Sequence, residues 1–535
     1  MEHIERKTVD DILSAVFQYL NEHQKLVLLF IVFLGLFVRV YKISGLDVGG
    51  AWDEGYSMVA ASNIIRDKTF LFINHMPDKD GILIDKPPVL YAAGAMFFKS
   101  FGDSETTPRA VSILFGVISI YAYFVLVKYI TKERGIAILS AFIFAVFPLH
   151  IALSRVFMGH VPSLFLTITS IYLLMKGVYE KQFKLLATAG ILIATNLLIL
   201  MWFGILPVIG TMIWMLFYSI DASDRGIKKY YLYALLCVLV GFIIFLAWPL
   251  LLSLGEQKYN GFHGGCFLPN CDVWDMIFKK NIISRSGLNR FDLDITNWHL
   301  SPPYLYAYIK QIFSRQYLPQ GHFDFSREFD FFYKFFLYFG IFVSLTRLNQ
   351  KDMKKVNLFW LFWLISYIPI HLGKNLYTQY LILLVPFFSF YIAYGINNLK
   401  AIQLNLFQNK LFLSLITILI CLVFFWRGLG MVRYDNEYLY KTNYKIMAQY
   451  LRNHSTPSKI ICTRYPGMSY YLGGECKSMN SVKEDLGEFI KNNEIEYVDI
   501  WRGKNLETLQ RIGCENMNNL LGIPENSEHT LFKCN

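Results

Sequence analysis

Charged residues are scarce in this chain of 535 residues, at 17% against the roughly 25% typical of soluble domains. Hydrophobic residues make up 54%, aromatic residues 17%, and the mean hydropathy is +0.36. This composition excludes an ordinary soluble domain and indicates a membrane protein. The sequence also lacks a basic stretch followed by a short apolar core and a small-residue cleavage site. We therefore expect the first apolar run, at 26–43, to remain as a membrane span.

Internal repeats and low-complexity tracts are absent as well. A secondary transporter should show paired repeats and interrupted helices near the membrane midplane, whereas the polar residues here concentrate in loops. A transporter of a lipid-linked or anionic substrate is therefore the second interpretation, and a non-catalytic assembly protein or receptor is the third. Nucleic-acid binding is disfavoured, because the net charge of +11 is not gathered in a separate basic domain.

Mostly apolar runs of about 17 to 25 residues can cross the roughly 30 Å hydrocarbon core of a membrane. We predict about eleven such spans, at 26–45, 108–129, 135–152, 161–177, 185–200, 203–219, 231–253, 331–347, 356–372, 377–397 and 409–427. With a cytoplasmic N-terminus, every inner connection is basic, as the positive-inside rule requires. These connections carry Lys128, Lys132, Arg134, Lys176, Lys181, Lys184, Arg225, Lys228, Lys229, Arg347, Lys351, Lys354, Lys355, Lys400 and Lys410.

This topology puts three segments on the outer face: the first loop at 46–107, a long segment at 254–330, and everything after about residue 428. We predict a polytopic, mostly α-helical membrane domain over 1–427 and a small extracytoplasmic α/β domain over 428–535. Charged helical stretches alternate with short strand-like runs in the second domain. We expect that domain to act as a soluble cap.

Six of the eight cysteines fall in the predicted outer segments, namely Cys266, Cys271, Cys462, Cys476, Cys514 and Cys534. Their even numbers predict disulfides in an oxidising compartment, with the pairing of the last four left open. Zinc bound by Cys266, Cys271 and His263 is the alternative for the first pair, but the ligand spacing is loose and a disulfide is favoured.

The first loop carries the residues best suited to chemistry. Asp53 and Glu54 fall at the start of a predicted helix, where the helix dipole alone would favour an acidic residue. The second cluster in the loop, Asp85-Lys86-Pro87-Pro88, strengthens a functional interpretation, because its prolines fix the backbone after Lys86. That lysine can contact a phosphate as a point charge, although interfacial lysines also commonly snorkel at the membrane surface. Such a loop suits a lipid-linked phosphate.

Other polar residues are predicted on the same side of the membrane. A basic set facing an acidic pair fits a phosphate-bearing substrate. The candidates for the substrate site are Trp52, Tyr56, Asp85, Arg109, His160, His371 and Tyr380, and those for the donor phosphate are Lys86, Arg155 and Lys374. Asp78-x-Asp80 and Asp292-x-Asp294 are weak metal-site patterns. The metal stays unknown, and the chemistry does not require a divalent cation.

The order of these motifs resembles the GT-C membrane glycosyltransferases, and most closely the branch containing protein O-mannosyltransferases and the lipid A aminoarabinose transferase. The matching elements are Asp53-Glu54, Asp85-Lys86-Pro87-Pro88, Phe101-Gly102-Asp103-Ser104-Glu105 and Pro108-Arg109, with a later similar segment at 377–386. The resemblance implies an inverting transfer of a sugar from a polyprenyl-phosphate donor to a protein, lipid or cell-envelope glycan on the outer face.

The same resemblance implies roles for three residues of the first loop. Asp53 corresponds to the essential carboxylate, which we interpret as the base, with Glu54 beside it and Lys86 at the donor phosphate. The sequence departs from the family pattern at His160, where relatives tend to have an acid, and at Gln379, where they usually have arginine. Both departures bear on acceptor choice and metal use rather than on the reaction class.

Overall fold

A computed structural model describes the chain over sixteen segments: 24–48, 52–67, 89–102, 104–200, 204–220, 224–255, 331–371, 378–399, 410–434, 443–462, 465–473, 476–479, 482, 485–501, 505–524 and 529–534. Over these residues the protein is mostly helical with one small sheet, as predicted. The predicted loop at 254–330 lies almost wholly outside them, together with Cys266 and Cys271.

The helices that precede the sheet follow the apolar runs of the sequence. They are α1 (Gln24–Val40), α2 (Trp52–Asp67), α3 (Val89–Phe101), α4 (Thr106–Thr131), α5 (Arg134–Val146), α6 (Pro148–Ser154), α7 (His160–Tyr179), α8 (Phe183–Leu200), α9 (Leu206–Ile220), α10 (Arg225–Gly255), α11 (Phe331–Thr346), α12 (Lys351–His371), α13 (Val385–Asn397) and α14 (Lys410–Tyr434). Short 3-10 helices lie at Ile43–Gly45 and Thr378–Leu384. The predicted spans at 185–200 and 203–219 correspond to two separate helices, α8 and α9.

Six described helices are long and apolar enough to cross a membrane: α1, α4, α7, α8, and parts of α10 and α14. A seventh span results if α5 and α6, which bend by 56° at their junction, are counted as one. Pro148 explains that bend, because its ring removes the backbone N–H that would continue α5. Helices α9, α11 and α13, of 15, 16 and 13 residues, are shorter than the usual span. Eleven crossings therefore stay a prediction.

The membrane helices pack through a single large apolar cluster. The Tyr123 hydroxyl on α4 donates to the carbonyl of Pro386 on α13 across 2.6 Å and so ties two distant parts of the bundle together. Helices α11 and α13 approach closely at Gly340 and Gly395. A Cβ at Gly340 would lie 1.8 Å from the Tyr391 carbonyl oxygen, so this crossing requires a residue without a side chain.

The basic connections converge at one end of the bundle. Lys181 pairs with Asp224 at 2.7 Å, and the indole N–H of Trp214 donates to the carbonyl of Lys355 at 3.2 Å. The start of α4 lies among first-loop residues, whereas its last residues lie at this basic end. Its 26 residues span about 39 Å, so the two ends are separated by the full thickness of a membrane.

The C-terminal part of the chain forms an α/β domain. Its elements are α15 (Tyr444–His454), β1 (Ile460–Cys462), α16 (Tyr465–Leu472), β2 (Lys477–Ser478), α17 (Leu486–Asn492), β3 (Tyr497–Trp501), α18 (Leu506–Arg511), β4 (Glu515–Asn516) and β5 (His529–Lys533). The strand order is β2-β1-β3-β5-β4, parallel on the β2-β1-β3 side and antiparallel for β3-β5 and β5-β4. The predicted disulfides are present as Cys462–Cys476 and Cys514–Cys534.

Candidate active site at the first loop

A buried ion pair lies at the start of α2. The guanidinium group of Arg109, on the first turn of α4, donates from Nε to Glu54 Oε1 at 2.7 Å and from Nη2 to Glu54 Oε2 at 2.9 Å. Glu54 Oε1 also accepts the backbone N–H of Phe157 at 2.9 Å. Both ion-pair side chains are fully buried. Glu54 therefore joins three segments: the first loop, α4 and the turn between α6 and α7.

Arg109 also binds the chain just before α2. Its Nη1 donates to the Leu46 carbonyl at 2.7 Å, and its Nη2 lies 3.3 Å from the Asp47 carbonyl. The guanidinium group thus offers its planar set of donors to one carboxylate and two backbone oxygens. This arrangement fixes the entry into the first loop relative to the beginning of helix α2, where Asp53 is the second residue.

A second arginine binds the end of α1. Nη1 of Arg155 lies 3.3 Å from the Val38 carbonyl, 3.1 Å from the Arg39 carbonyl and 2.7 Å from the Tyr41 carbonyl. The last carbonyls of a helix have no partner within the helix and carry the negative end of its dipole, so a buried cation is stabilised there. Arg155 thereby fixes the end of α1. Its predicted role at the donor phosphate stays a prediction.

Arg39 is a further buried cation in the same region. It donates to the carbonyls of Gly35 at 2.7 Å and Ala145 at 3.0 Å, and its Nη2 lies 2.8 Å from His150 Nδ1. His150 Nδ1 also lies 3.1 Å from the Phe144 carbonyl oxygen, and its Nε2 faces the Ser119 hydroxyl at 3.2 Å. These contacts connect the four helices α1, α4, α5 and α6.

The C-terminal domain contacts described residues of the first loop. The Tyr471 hydroxyl on α16 accepts the backbone N–H of Val48 at 2.8 Å. Asp47 Oδ2 accepts the backbone N–H of Asn443 at 3.0 Å, and Lys445 pairs with Glu105 at 2.8 Å. Burial, together with the nearby carboxylates of Asp47 and Glu105, raises the pKa of Tyr471 well above its usual value. Its phenol therefore stays protonated at physiological pH.

The structure brings several of the predicted site residues together. Glu54 and Arg109 form the ion pair, Tyr56 is buried on α2, and Arg155 and His160 flank the turn that contains Phe157. The side chains of Trp52, Asp53, His371 and Tyr380, and the whole of Asp85, Lys86 and Lys374, lie outside the described part of the chain. Among the described residues no three potential metal-binding side chains lie together, and Asp78, Asp80, Asp292 and Asp294 also lie outside it.

Sequence reasoning missed three contributors to this region. Arg39 had a detectable signal, because an arginine inside an apolar span usually has a specific partner. Neither the Phe157 amide nor Tyr471 gave a signal in the sequence. A backbone N–H is the same in every sequence, and a tyrosine more than 400 residues from its partner gives no local pattern.

Comparison with known proteins identifies the class of fold. Residues 85–248 match the family model of dolichyl-phosphate-mannose-protein mannosyltransferases, and no curated protein matches the chain. ArnT from Cupriavidus metallidurans in the apo state is similar in structure, with a TM-score of 0.60 at 10% identity over 94% of this chain and 97% of that one. The oligosaccharyltransferase of Archaeoglobus fulgidus has a TM-score of 0.59 at 15% identity over 90% of this chain and 69% of its own.

These similarities define the fold as that of the GT-C membrane glycosyltransferases. Within that class, the region from Asp85 into α10 is the part that matches the mannosyltransferase family model. ArnT has also been solved with undecaprenyl phosphate bound, and the Archaeoglobus enzyme with dolichol phosphate and an inhibitory peptide.

Proposed function

We propose that this protein is an integral membrane glycosyltransferase that moves a sugar, with inversion, from a polyprenyl-phosphate donor to an acceptor on the outer face. The family match over 85–248 and the similarity to ArnT, whose structure holds undecaprenyl phosphate, support the donor class. The acceptor is a protein, a lipid or a cell-envelope glycan.

The observation that carries the proposal is the buried attachment of the first loop to the membrane helices. Arg109 holds Glu54 and the carbonyls of Leu46 and Asp47, so helix α2 begins at a fixed place beside the first turn of α4. A catalytic base must be held within hydrogen-bonding reach of its substrate. The ion pair of Glu54 and Arg109 supports the proposal because it fixes the start of the helix on which Asp53 is the second residue.

In the proposed reaction, the Asp53 carboxylate takes the proton of the acceptor hydroxyl. The acceptor oxygen attacks the anomeric carbon from the face opposite the phosphate, and the bond between that carbon and the phosphate oxygen breaks. Negative charge develops on the departing polyprenyl phosphate, where Lys86, Arg155 and Lys374 are the candidate stabilising cations. Glu54 acts by holding the start of α2. A divalent cation is compatible with this scheme, and no step depends on it.

The test compares Asp53→Asn with Asp67→Asn, which makes the same chemical change at the last residue of the same helix. Purified proteins in detergent are given a radiolabelled polyprenyl-phosphate sugar and a cell-envelope extract as the acceptor source. General acid–base catalysis contributes about 10²- to 10⁴-fold, so Asp53→Asn should lose transfer by at least about 100-fold. Asp67→Asn and the wild type should remain active, and the thermal unfolding of all three should agree.

Two results would contradict the proposal. Full activity of Asp53→Asn would remove the assigned base. Absence of any sugar-transfer product from the wild type would favour a transporter, since a transporter produces no chemical product in detergent.

A further inference from the structure

The chain segment just before α2 is held from two sides. Arg109 of the membrane domain binds the carbonyls of Leu46 and Asp47. From the opposite domain, the Tyr471 hydroxyl accepts the N–H of Val48, and the N–H of Asn443 donates to Asp47 Oδ2. Three consecutive residues therefore have hydrogen bonds to the membrane domain and to the C-terminal domain, a few residues before Asp53.

The contact between the two parts is a shared apolar core. Val48 and Met58 of the first loop lie in one buried cluster with Tyr444 of α15 and Met468 of α16. The rings of Phe98 on α3 and Tyr470 on α16 stack with centroids 6.5 Å apart. The first loop and the C-terminal domain therefore bury side chains in a common apolar cluster.

The Cys462–Cys476 disulfide encloses helix α16, which carries Tyr471. Both of these cysteines belong to the shared cluster. The Cys514–Cys534 disulfide instead belongs to a separate cluster with Val498 and Phe532, in which no described first-loop residue takes part. One domain thus holds a disulfide next to the interface and a second that serves as a matched control.

We propose that Tyr471 is a positioning residue for sugar transfer, and that docking of the C-terminal domain through α16 sets the geometry of the loop that carries Asp53. This inference rests on the proposed function. In this role Tyr471 acts through its hydrogen bond to the Val48 backbone rather than by contact with donor or acceptor. Its loss should therefore reduce turnover and leave donor binding intact.

The test uses the full chain in lipid nanodiscs and compares Tyr471→Phe with Tyr470→Phe. Each variant removes one hydroxyl from neighbouring residues of the same helix and keeps both rings. Hydrogen–deuterium exchange followed by mass spectrometry reports on the Val48 amide independently of activity. We expect Tyr471→Phe to speed exchange at Val48 by about tenfold and to lower kcat by about tenfold, with the donor KM changed less than about twofold. Tyr470→Phe should leave exchange at Val48 unchanged, because the Val48 amide bonds to the Tyr471 hydroxyl.

The outcomes separate this inference from the proposed function. If Asp53→Asn is inactive but Tyr471→Phe keeps either the wild-type kcat or the wild-type exchange at Val48, the positioning role is wrong and the proposed function stands. Activity of Asp53→Asn overturns the proposed function and, with it, the site that Tyr471 would position.

The disulfides provide a second pair of variants. Replacing Cys462 and Cys476 by serine should speed exchange at Val48, because the two ends of the segment that contains α16 are released. Replacing Cys514 and Cys534 should leave that exchange unchanged. Equal effects of the two replacements, or no effect of the first, would contradict a specific role for α16.

Discussion

Glu54 forms a buried ion pair with Arg109, whereas its sequence neighbour Asp53 is the base in the proposed reaction. Burying a carboxylate and a guanidinium group costs several kcal/mol per ion, which their attraction offsets only if the remaining donors and acceptors are also satisfied. Glu54 and Arg109 meet that condition through the Phe157 amide and the carbonyls of Leu46 and Asp47. We therefore expect Glu54 to contribute to stability and position, and Asp53 to contribute to chemistry.

The variant Glu54→Gln tests this division. It leaves the buried Arg109 charge without a carboxylate, and breaking a buried pair costs about 3–5 kcal/mol. We expect a large fall in the thermal unfolding temperature in detergent together with loss of transfer, whereas Asp53→Asn should lose transfer alone. The control is Glu105→Gln, which weakens the partly exposed pair with Lys445 and should cost about 1 kcal/mol. Wild-type stability of Glu54→Gln would show that the pair does not support the fold.

At the level of single elements, the apolar runs predicted the positions of the helices well because burial in lipid requires continuous hydrophobic length. They did not predict where helices bend or how closely they pack. Pro148 divides one predicted span, 135–152, into α5 and α6. The glycines at 340 and 395 look like ordinary span residues in the sequence, and only the crossing of α11 and α13 shows that a side chain there has no space.

Gly340→Ala should separate α11 from α13. The added Cβ would overlap the backbone of α13, which cannot move aside as a flexible side chain can, and overpacking typically costs about 1–3 kcal/mol. Gly430→Ala is the matched control, because its Cβ would meet nothing within 4 Å and alanine is the better helix former. Thermal unfolding in detergent should place the first variant below the wild type and the second at or slightly above it. Equal unfolding temperatures for both variants would show that the crossing is looser than its contacts indicate.

For the whole molecule, the sequence predicted the membrane domain, an α/β domain and disulfides, since these follow from local composition and spacing. The ion pair of Glu54 and Arg109 joins two residues already selected as candidates, although nothing in the sequence indicated that they pair. The docking of Tyr471 on Val48 was beyond prediction, because it depends on how two distant segments pack. The expectation that the C-terminal domain acts as a soluble cap stays a prediction, and the apolar cluster of that domain includes Met58 of the first loop.

The orientation of the molecule in the membrane is the remaining prediction. The first loop and the C-terminal domain lie at the end of the bundle opposite the basic connections, and basic connections are retained in the cytoplasm. Leu520 in the C-terminal domain and Lys228 on α10 are both exposed, so cysteines at these positions report the two ends. In spheroplasts, a membrane-impermeant maleimide should label Leu520→Cys at once and Lys228→Cys only after permeabilisation, with the wild-type chain as background. The reverse pattern would place the candidate active site on the cytoplasmic face, and the donor would then have to be presented from that side.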